Sequence, residues 1–309
     1  MILITGANGY IGRHLAAHLG KSQVILTDIH KTSTFDRFVD FEYISANLND
    51  LAELRSLFTS AEIQTVVHLS ALKSVSQSID SPNLYLNTNY LGTQNLFNLA
   101  DDFGVRNFLF ASSAAVYGSI NRSPVQEDGI LDPASPYGTS KMLAEEFLKT
   151  VSRKNLANVV SLRFFNVAGS AGSDLADTGQ GNVFPIFLNA IDKQLPLRIF
   201  GSCYQTLDGT AVRDYIHVSD IVDGITDLIE FFSASSSDYS VFNFGSGQGT
   251  SVLELANLLL KQFNGSNEVF FEPPRVGDVS EMVADISHAN KSFGYSPKLK
   301  LGDIISSLS

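Results

Sequence analysis

The first half of the chain alternates between short apolar runs and longer amphipathic stretches. Apolar runs recur at five places: Ile2–Thr5, Val24–Thr27, Thr65–Leu69, Phe108–Ser112 and Val159–Phe165. Runs of this length that are apolar throughout are typical of strands buried on both faces of a parallel sheet. Between them lie amphipathic stretches, such as 51–59 and 89–103, with a helical period. The alternation predicts an α/β fold built on a doubly wound parallel sheet.

This alternation weakens after about residue 166. Residues 169–182 are rich in Gly, Ser, Asp and Ala, which is a loop composition, and the last third mixes short strand-like and helix-like segments. We therefore expect a first domain over 1–165, to which later segments return. A smaller mixed α/β domain over 166–309 is expected to cover the mouth of the sheet.

Composition and charge exclude several classes of partner. The formal net charge is −11 and the pI about 4.9, which disfavours binding to nucleic acid or to an anionic membrane. Cys203 is the only cysteine, so an internal disulfide is excluded and a reducing, cytoplasmic location is expected. The six histidines form no HExxH pattern, and we expect no metal site.

A glycine-rich turn follows the first apolar run directly. Gly6, Gly9 and Gly12 have the spacing GxxGxxG between a strand and a helix. Glycines at these positions allow a tight turn and a close approach of the backbone to a pyrophosphate, which the helix N-terminus then faces. The pattern predicts a Rossmann-type dinucleotide site; a turn needed only for packing is the alternative.

Asp28 directly follows the second apolar run, sixteen residues after Gly12. A carboxylate at this position accepts hydrogen bonds from both ribose hydroxyls and repels a 2′-phosphate, which favours NAD over NADP. The nearby Lys31 weakens this preference. A solvated aspartate in a turn is the alternative interpretation.

Tyr137 and Lys141 are spaced i,i+4, so they share one face of a predicted helix that begins at Ser135-Pro136. An ammonium and a nicotinamide cation nearby would lower the pKa of the phenol toward neutrality, and the phenolate would act as a general base. Ser113 ends a predicted strand, and ligands of such sheets bind at the strand ends. Its hydroxyl could form a hydrogen bond with the substrate hydroxyl that loses its proton to Tyr137. On spacing alone, a chance occurrence is the alternative for Tyr137 and Lys141, and a polar strand end without this role is the alternative for Ser113.

Two arginines are candidates for holding a diphosphate. Arg213 lies in Val-Arg-Asp-Tyr-Ile-His-Val, and Arg275 lies in Pro-Arg-Val-Gly-Asp. A guanidinium fork matches phosphate oxygens, but each arginine could equally form an ion pair at the surface.

The glycine turn and the Tyr-x-x-x-Lys motif at 137–141 are shared with the short-chain dehydrogenase/reductases. With 162–166 (Leu-Arg-Phe-Phe-Asn), 208–220 and 275–278 (Arg-Val-Gly-Asp), the chain resembles the UDP-glucose 4-epimerase family over nearly its whole length. The resemblance implies NAD-dependent inversion at C4 of a UDP-hexose through a 4-keto intermediate. It also implies a homodimer, an NAD-binding domain over 1–165 and a domain for the nucleotide sugar over 166–309.

The resemblance also implies residue roles. Tyr137 would be the base, Lys141 would orient the nicotinamide ribose, and Ser113 would assist at the sugar hydroxyl. Further contacts to the cofactor would come from Tyr10, Ile11, Asn47, Leu48, Leu69, Lys73, Asn89 and Phe164. Contacts to the UDP-sugar would come from Asn166, Asn182, Val183, Phe200, Arg213, Tyr215, Arg275, Asp278 and Met282.

Some positions depart from the family pattern. Asn47 replaces an Asp near the adenine, and Ala115 replaces a common Thr. Met282 occupies a position where residue size controls the sugar pocket, and Met is intermediate and flexible. The choice between a hexose and an N-acetylhexosamine stays open, as does a uronic acid. A non-catalytic NAD sensor is the alternative outside enzymes.

Overall fold

The computed structural model describes residues 1–30, 36–119, 123–152, 158–177, 179, 181–234, 239–275 and 277–308 of the chain. The chain divides into two compact units. The first unit comprises Met1–Val116, Ser135–Arg163 and Val222–Phe242, and the second comprises Tyr117–Ala134, Phe164–Ile221 and Asn243–Ser309. Two later segments therefore belong to the same unit as the N-terminal part of the chain.

The strands of the described chain are β1 (Ile2–Thr5), β2 (Val24–Thr27), β3 (Glu42–Tyr43), β4 (Thr65–His68), β5 (Asn107–Ser113), β6 (Asn158–Phe164), β7 (Asn166–Ala168), β8 (Leu197–Phe200), β9 (Val212–His217), β10 (Tyr239–Phe244), β11 (Gly249–Ser251), β12 (Val269–Glu272) and β13 (Glu281–Met282). Seven of them form a sheet in the order β10-β6-β5-β4-β1-β2-β3. The pairs β1–β2, β1–β4, β2–β3 and β4–β5 are parallel. The order reverses between β1 and β4, so the predicted doubly wound parallel sheet is confirmed.

The helices of the described chain are α1 (Tyr10–Leu19), α2 (Leu51–Ser60), α3 (Val75–Asp80), α4 (Pro82–Tyr85), α5 (Gly92–Asp102), α6 (Pro136–Ser152), α7 (Val183–Asp192), α8 (Val218–Ala234), α9 (Val252–Gln262), α10 (Ser287–Phe293) and α11 (Leu301–Ser306). Helix α6 begins as predicted, because Ser135 accepts a hydrogen bond from the amide of Gly138 (3.1 Å) and Pro136 is the first helical residue. The helix predicted from residue 89 instead begins as a π-helical turn, Leu86–Leu91, that runs into α5.

The core of the first unit lies between its sheet and the helices packed on it. Leu3, Phe108 and Val159 from three strands are buried together with Leu54 of α2 and Leu96 of α5. These are the apolar positions that the strand and helix periods place toward a common interior. Removing their surface from water is the main favourable contribution to folding of this unit.

The second unit is smaller and mixed. Its central strand β9 pairs in parallel with β7 and β13 and antiparallel with β11, and β8 pairs in parallel with β12. Phe184, Phe187, Ile199 and Leu255 are among the buried side chains of its core. The predicted smaller mixed α/β part of the fold is confirmed.

A buried histidine joins β1, β4 and α5 in the first unit. His68 is hydrogen-bonded through Nδ1 to Thr5 (2.7 Å) and through Nε2 to Thr93 (2.9 Å). The Thr93 hydroxyl donates to the carbonyl of Asn89 (2.6 Å), so it accepts from His68, which places the ring proton on Nε2. Thr5 then donates to Nδ1. Burial, with the charge of Lys141, lowers the pKa of His68 to about 3.

Titration of His68 should make folding stability depend on pH. Between the unfolded value of 6.5 and the folded value of about 3, the unfolded chain binds one more proton at this residue. The free energy of unfolding should therefore fall with decreasing pH, by up to about 1.4 kcal/mol per pH unit from His68. Urea unfolding of His68→Gln should show a flatter pH dependence than the wild type.

The matched control is the exposed His30, which follows β2. His30→Gln shows how far replacing an exposed histidine changes the pH dependence by itself. If the free energy of unfolding changes equally with pH in the wild type and in His68→Gln between about pH 4 and pH 6, His68 is not buried in its neutral form.

Candidate active site

The turn after β1 has no room for a Cβ at Gly6 or Gly12. Gly6 has a φ of +70°, and an ideal Cβ built there would lie 2.7 Å from the amide nitrogen of Ser70. A Cβ at Gly12 would overlap the carbonyl oxygen of Gly6. Glycines at these two positions let the backbone turn tightly, and a backbone without Cβ atoms can approach a ligand closely. The turn therefore fits the pyrophosphate of a dinucleotide.

Helix α1 begins at this turn. Gly9 is its N-cap, no side chain caps the helix there, and its first turn contains no acidic residue. The first two residues of the helix are Tyr10 and Ile11. With the positive end of the helix dipole, this end of α1 favours an anion over a cation.

Asp28 follows β2 and lies beside the glycine turn. Its carboxylate accepts hydrogen bonds from the amides of Asn8 (3.1 Å) and Ile29 (2.8 Å). The Asn8 side chain donates to the hydroxyl of Tyr43 (3.0 Å), and burial with the charge of Asp28 raises the pKa of Tyr43 to about 12. The two cofactor motifs of the sequence thus lie together. Lys31 is outside the described residues.

Asn47 and Leu48 follow β3. The side-chain oxygen of Asn47 accepts from the amide of Asn49 (3.0 Å), and the Asn47 amide donates to Glu53 (2.8 Å). Leu48 is buried, and an ideal Cβ at Gly92 would lie 2.9 Å from its Cβ. Asn47 therefore shapes the turn that leads into α2, while Leu48 fills the space beside α5.

Three predicted cofactor residues lie at or near the carboxyl end of β4. Leu69 follows the strand directly, and Lys73 is exposed. Asn89 is fully buried; its side chain accepts from the amide of Leu72 (2.9 Å) and donates to the Leu72 carbonyl (2.9 Å) and to Ser140 (3.0 Å). Both ends of this amide are engaged, so Asn89 anchors the segment that carries Lys73.

Tyr137 and Lys141 lie one turn apart on α6, as their spacing predicts. The Tyr137 hydroxyl is hydrogen-bonded to Ser113, the last residue of β5. The ring of Tyr85 stands edge-on to Tyr137, with centroids 6.4 Å apart. Lys141 Nζ donates to the carbonyl of Ala111 (2.7 Å). The three residues predicted to carry the chemistry are thus brought together.

Burial dominates the electrostatics of this group in the ligand-free chain. Burial raises the pKa of Tyr137, Ser113 opposes this through its hydrogen bond, and Tyr85 adds to the rise. Burial lowers the pKa of Lys141 to about 7, against the charge of Glu145. The predicted lowering of the Tyr137 pKa depends on a nicotinamide cation as well as the ammonium, so it stays a prediction for the chain with NAD bound. A second positive charge, such as that of a nicotinamide ring, would be needed.

A buried ion pair one turn beyond Lys141 was missed by the sequence analysis. The side chains of Glu145 and Arg163 are 2% and 4% exposed, with Oε2 and Nη2 2.6 Å apart. Arg163 Nε donates to the same carboxylate (3.1 Å), and so does the Ser112 hydroxyl. The i,i+4 spacing from Lys141 could have pointed to Glu145. Arg163 lies on β6 and had no such local signal.

The two predicted arginines lie in the second unit. Arg213 on β9 forms an ion pair with Asp278 and donates to the carbonyl of Val212 (2.8 Å). The Arg275 guanidinium lies over the ring of Phe200, 3.9 Å from its centroid. The ion pair that the sequence left as an alternative is therefore present at Arg213.

Other predicted substrate residues surround β9. Asn166 on β7 is paired in register with Tyr215, and Met282 on β13 with Arg213. Met282 and Tyr215 are buried, whereas Asn166 is exposed. The ring of Tyr215 packs edge-on against Phe184, with centroids 5.4 Å apart. These residues therefore lie on one small sheet or against it.

The remaining predicted residues lie at element ends. Asn182 caps α7 by accepting from the amide of Phe184 (3.4 Å) and also donates to the carbonyl of Val167 (2.9 Å), while Val183 is the first residue of that helix. Phe164 ends β6 and is buried. The cap fixes Asn182 at the start of α7.

Within the described residues, no helix combines the length and apolar composition that crossing a bilayer requires. The same part of the chain has no group of three or more His, Cys, Asp or Glu side chains placed to hold a metal ion.

Comparison with known sequences gives a consistent set of relatives. Residues 2–245 match the NAD dependent epimerase/dehydratase family. The chain is 31% identical to UDP-glucose 4-epimerase 3 of Oryza sativa subsp. japonica, over 98% of this chain and 87% of the relative.

Solved structures agree with the sequence relatives. UDP-glucose-4-epimerase from Stenotrophomonas maltophila, with bound NAD and formylated UDP-arabinopyranose, has a TM-score of 0.92 and 30% identity, covering 99% of this chain and 96% of its own. UDP-glucose 4-epimerase from Bifidobacterium longum, in complex with NAD⁺ and UDP, has a TM-score of 0.91 and 30% identity, with the same coverage.

Proposed function

Because the chain belongs to the NAD-dependent epimerase/dehydratase family and is an NAD-using epimerase, we propose that it inverts C4 of a UDP-hexose, interconverting UDP-glucose and UDP-galactose. The observation that carries the proposal is the hydrogen-bonded pair Tyr137–Ser113 beside Lys141, in the unit that also holds the glycine turn.

We assign the NAD site to the first unit. The glycine turn with Gly6 and Gly12 suits the pyrophosphate, and Asp28 beside it suits the adenine ribose hydroxyls. When bound, NAD would be the oxidant that accepts a hydride from C4 of the sugar and later returns it. The domain for NAD would thus be 1–165 without 117–134 but with the returning segment 222–242, and that for the nucleotide sugar the rest of 166–309 together with 117–134.

Tyr137 is proposed to remove the proton from the 4-hydroxyl. Its hydroxyl oxygen is held by Ser113, which keeps it oriented and provides a second contact to the sugar hydroxyl. Burial keeps the phenol protonated in the ligand-free chain, so a base forms only when further positive charge is present. Lys141 is proposed to orient the nicotinamide ribose, its ammonium leaving the carbonyl of Ala111 when that ligand is bound.

The UDP group is assigned to the second unit. Arg213 and Arg275 are both partly fixed, one by Asp278 and the other on the Phe200 ring. Fixed guanidinium groups lose less entropy when they bind a diphosphate. Strong binding of this remote group leaves the sugar ring free to present either face after oxidation. Asn166, Asn182, Val183, Tyr215 and Met282 are proposed as further contacts.

The proposal is tested by adding UDP-galactose, and separately UDP-N-acetylgalactosamine, to purified protein without added NAD. Conversion of UDP-galactose alone would establish a hexose epimerase that retains its cofactor. Conversion of both would show that the buried Met282 leaves space for an N-acetyl group. Failure to convert either sugar, even with NAD added, would contradict the proposal.

We also propose a homodimer in the cytoplasm. Large apolar side chains are exposed at Val75, Ile79, Leu84 and Leu91, on α3, on α4 and before α5. Exposed apolar residues grouped on neighbouring helices favour an interface between copies of a chain. The net charge of −11 is typical of the surface of a cytosolic protein and supports the proposed cytoplasmic location. Light scattering of the purified protein measures the oligomeric state.

A further inference from the structure

A loop between β8 and β9 in the second unit holds a tyrosine that the assigned sites do not use. The amide of Tyr204 donates to the carbonyl of Gly209 (2.9 Å), and the hydroxyl of Thr206 donates to the carbonyl of Thr210 (2.6 Å). Asp208 in turn accepts from the amide of Thr210 (2.9 Å). These bonds close the loop on itself, so the position of Tyr204 is defined by the backbone around it.

The ring of Tyr204 lies directly over Gly201. An ideal Cβ at Gly201 would overlap the ring, with Tyr204 Cζ at 2.8 Å and the hydroxyl oxygen at 3.0 Å. Gly201 also has a φ of +83°, which disfavours any other residue. The ring is therefore seated immediately beyond Phe200, the residue on which the Arg275 guanidinium lies.

The Tyr204 hydroxyl is closed to solvent and has no hydrogen-bond partner among the described residues. A buried hydroxyl without a partner loses its hydration and gains nothing in return, so such groups are rare in folded proteins. Burial and the charge of Asp278 raise the pKa of Tyr204. The phenol therefore stays protonated at neutral pH and is available as a donor.

The charges around Tyr204 indicate which acceptor is missing. Asp278, Arg213 and Arg275 all act on its pKa, the carboxylate raising it and the two guanidinium groups lowering it. Guanidinium groups only donate hydrogen bonds, and Asp278 is paired with Arg213. An anion with several oxygens, bound by the two arginines, would bring an acceptor to this hydroxyl.

We propose that Tyr204 is a further substrate-binding residue, whose hydroxyl donates a hydrogen bond to a diphosphate oxygen of the nucleotide sugar. The inference rests on the proposed function, because it assigns Tyr204 to the same UDP group as Arg213 and Arg275. Phenylalanine at this position would keep the ring over Gly201 and remove only the donor.

The test is Tyr204→Phe, with UDP as the probe and NAD-loaded protein in a calorimeter. We expect UDP to bind about tenfold more weakly, the effect of losing one hydrogen bond to a charged group. The KM for UDP-galactose should rise by a similar factor, with kcat within about twofold of the wild type. Without UDP, the melting temperature should stay the same or rise, because the substitution removes an unpaired buried hydroxyl.

Tyr295→Phe is the matched control, because the buried Tyr295 hydroxyl already donates to the carbonyl of Gly245 (3.2 Å). It should lower the melting temperature and leave UDP affinity unchanged. If the wild type binds UDP and Tyr204→Phe binds it equally tightly, the role of Tyr204 is overturned and the epimerase proposal stands. A wild type without affinity for UDP would overturn both.

Discussion

Replacing Tyr137 by phenylalanine is expected to lower turnover of UDP-galactose by at least about a hundredfold, the usual contribution of a positioned acid or base. The change keeps the ring beside Tyr85 and removes the one oxygen that Ser113 holds. Without that oxygen, no described side chain in this group replaces the proton acceptor. Turnover is measured at saturating UDP-galactose, so that the result reports kcat.

Binding measurements separate this loss from misfolding. Tyr137→Phe should bind UDP and retain NAD as the wild type does, because the glycine turn and the arginines are untouched. Tyr85→Phe is the matched control, since it removes a neighbouring hydroxyl while keeping the edge-on ring contact. Turnover of Tyr137→Phe within about tenfold of the wild type would exclude Tyr137 as the base.

Replacing Glu145 by alanine is expected to lower the free energy of unfolding by about 3–5 kcal/mol. The substitution removes the carboxylate that pairs with the buried guanidinium of Arg163 and accepts from the Ser112 hydroxyl. An uncompensated charge in the protein interior is costly because its hydration is lost and nothing replaces it. Chemical denaturation of the purified variant measures the loss.

Two variants test this interpretation. Glu146→Ala changes the adjacent, exposed position of α6 and should alter stability by less than about 0.5 kcal/mol. The double variant Glu145→Leu with Arg163→Met removes both charges, and its loss should be well below that of Glu145→Ala. Equal losses for the single and double variants would show that packing volume, and not the unpaired charge, dominates.

Most of the first-unit sheet could be predicted from sequence because its strands contain short apolar runs and are separated by helices. Five apolar runs correspond to β1, β2, β4, β5 and β6. The two-residue strand β3 was not predicted, because a segment that short carries no periodic signal. The π-helical turn before α5 was also not predicted, because its residues have the same amphipathic pattern as the helix that follows.

The candidate site was predictable where its residues are neighbours in the chain. The turn at Gly6–Gly12 and the pair Tyr137–Lys141 depend on spacings of three and four residues, which a strand–turn–helix and a single helix convert directly into geometry. The pKa of Tyr137 was not predictable in the same way. Burial raises it, and burial is a property of the packed chain.

The sequence by itself determined the doubly wound sheet, the glycine turn and the helix face that carries Tyr137, because hydrophobic period and residue spacing are local properties. Only the tertiary structure decided that Glu145 meets Arg163, that His68 is buried neutral between two threonines, and that the Tyr204 hydroxyl is left without an acceptor. In the first two cases the partners lie on different elements and meet only when those elements pack. For Tyr204, solvent exclusion by folding creates the unmet hydrogen bond. Water satisfies all of these groups in the unfolded chain, so no local pattern records their pairing.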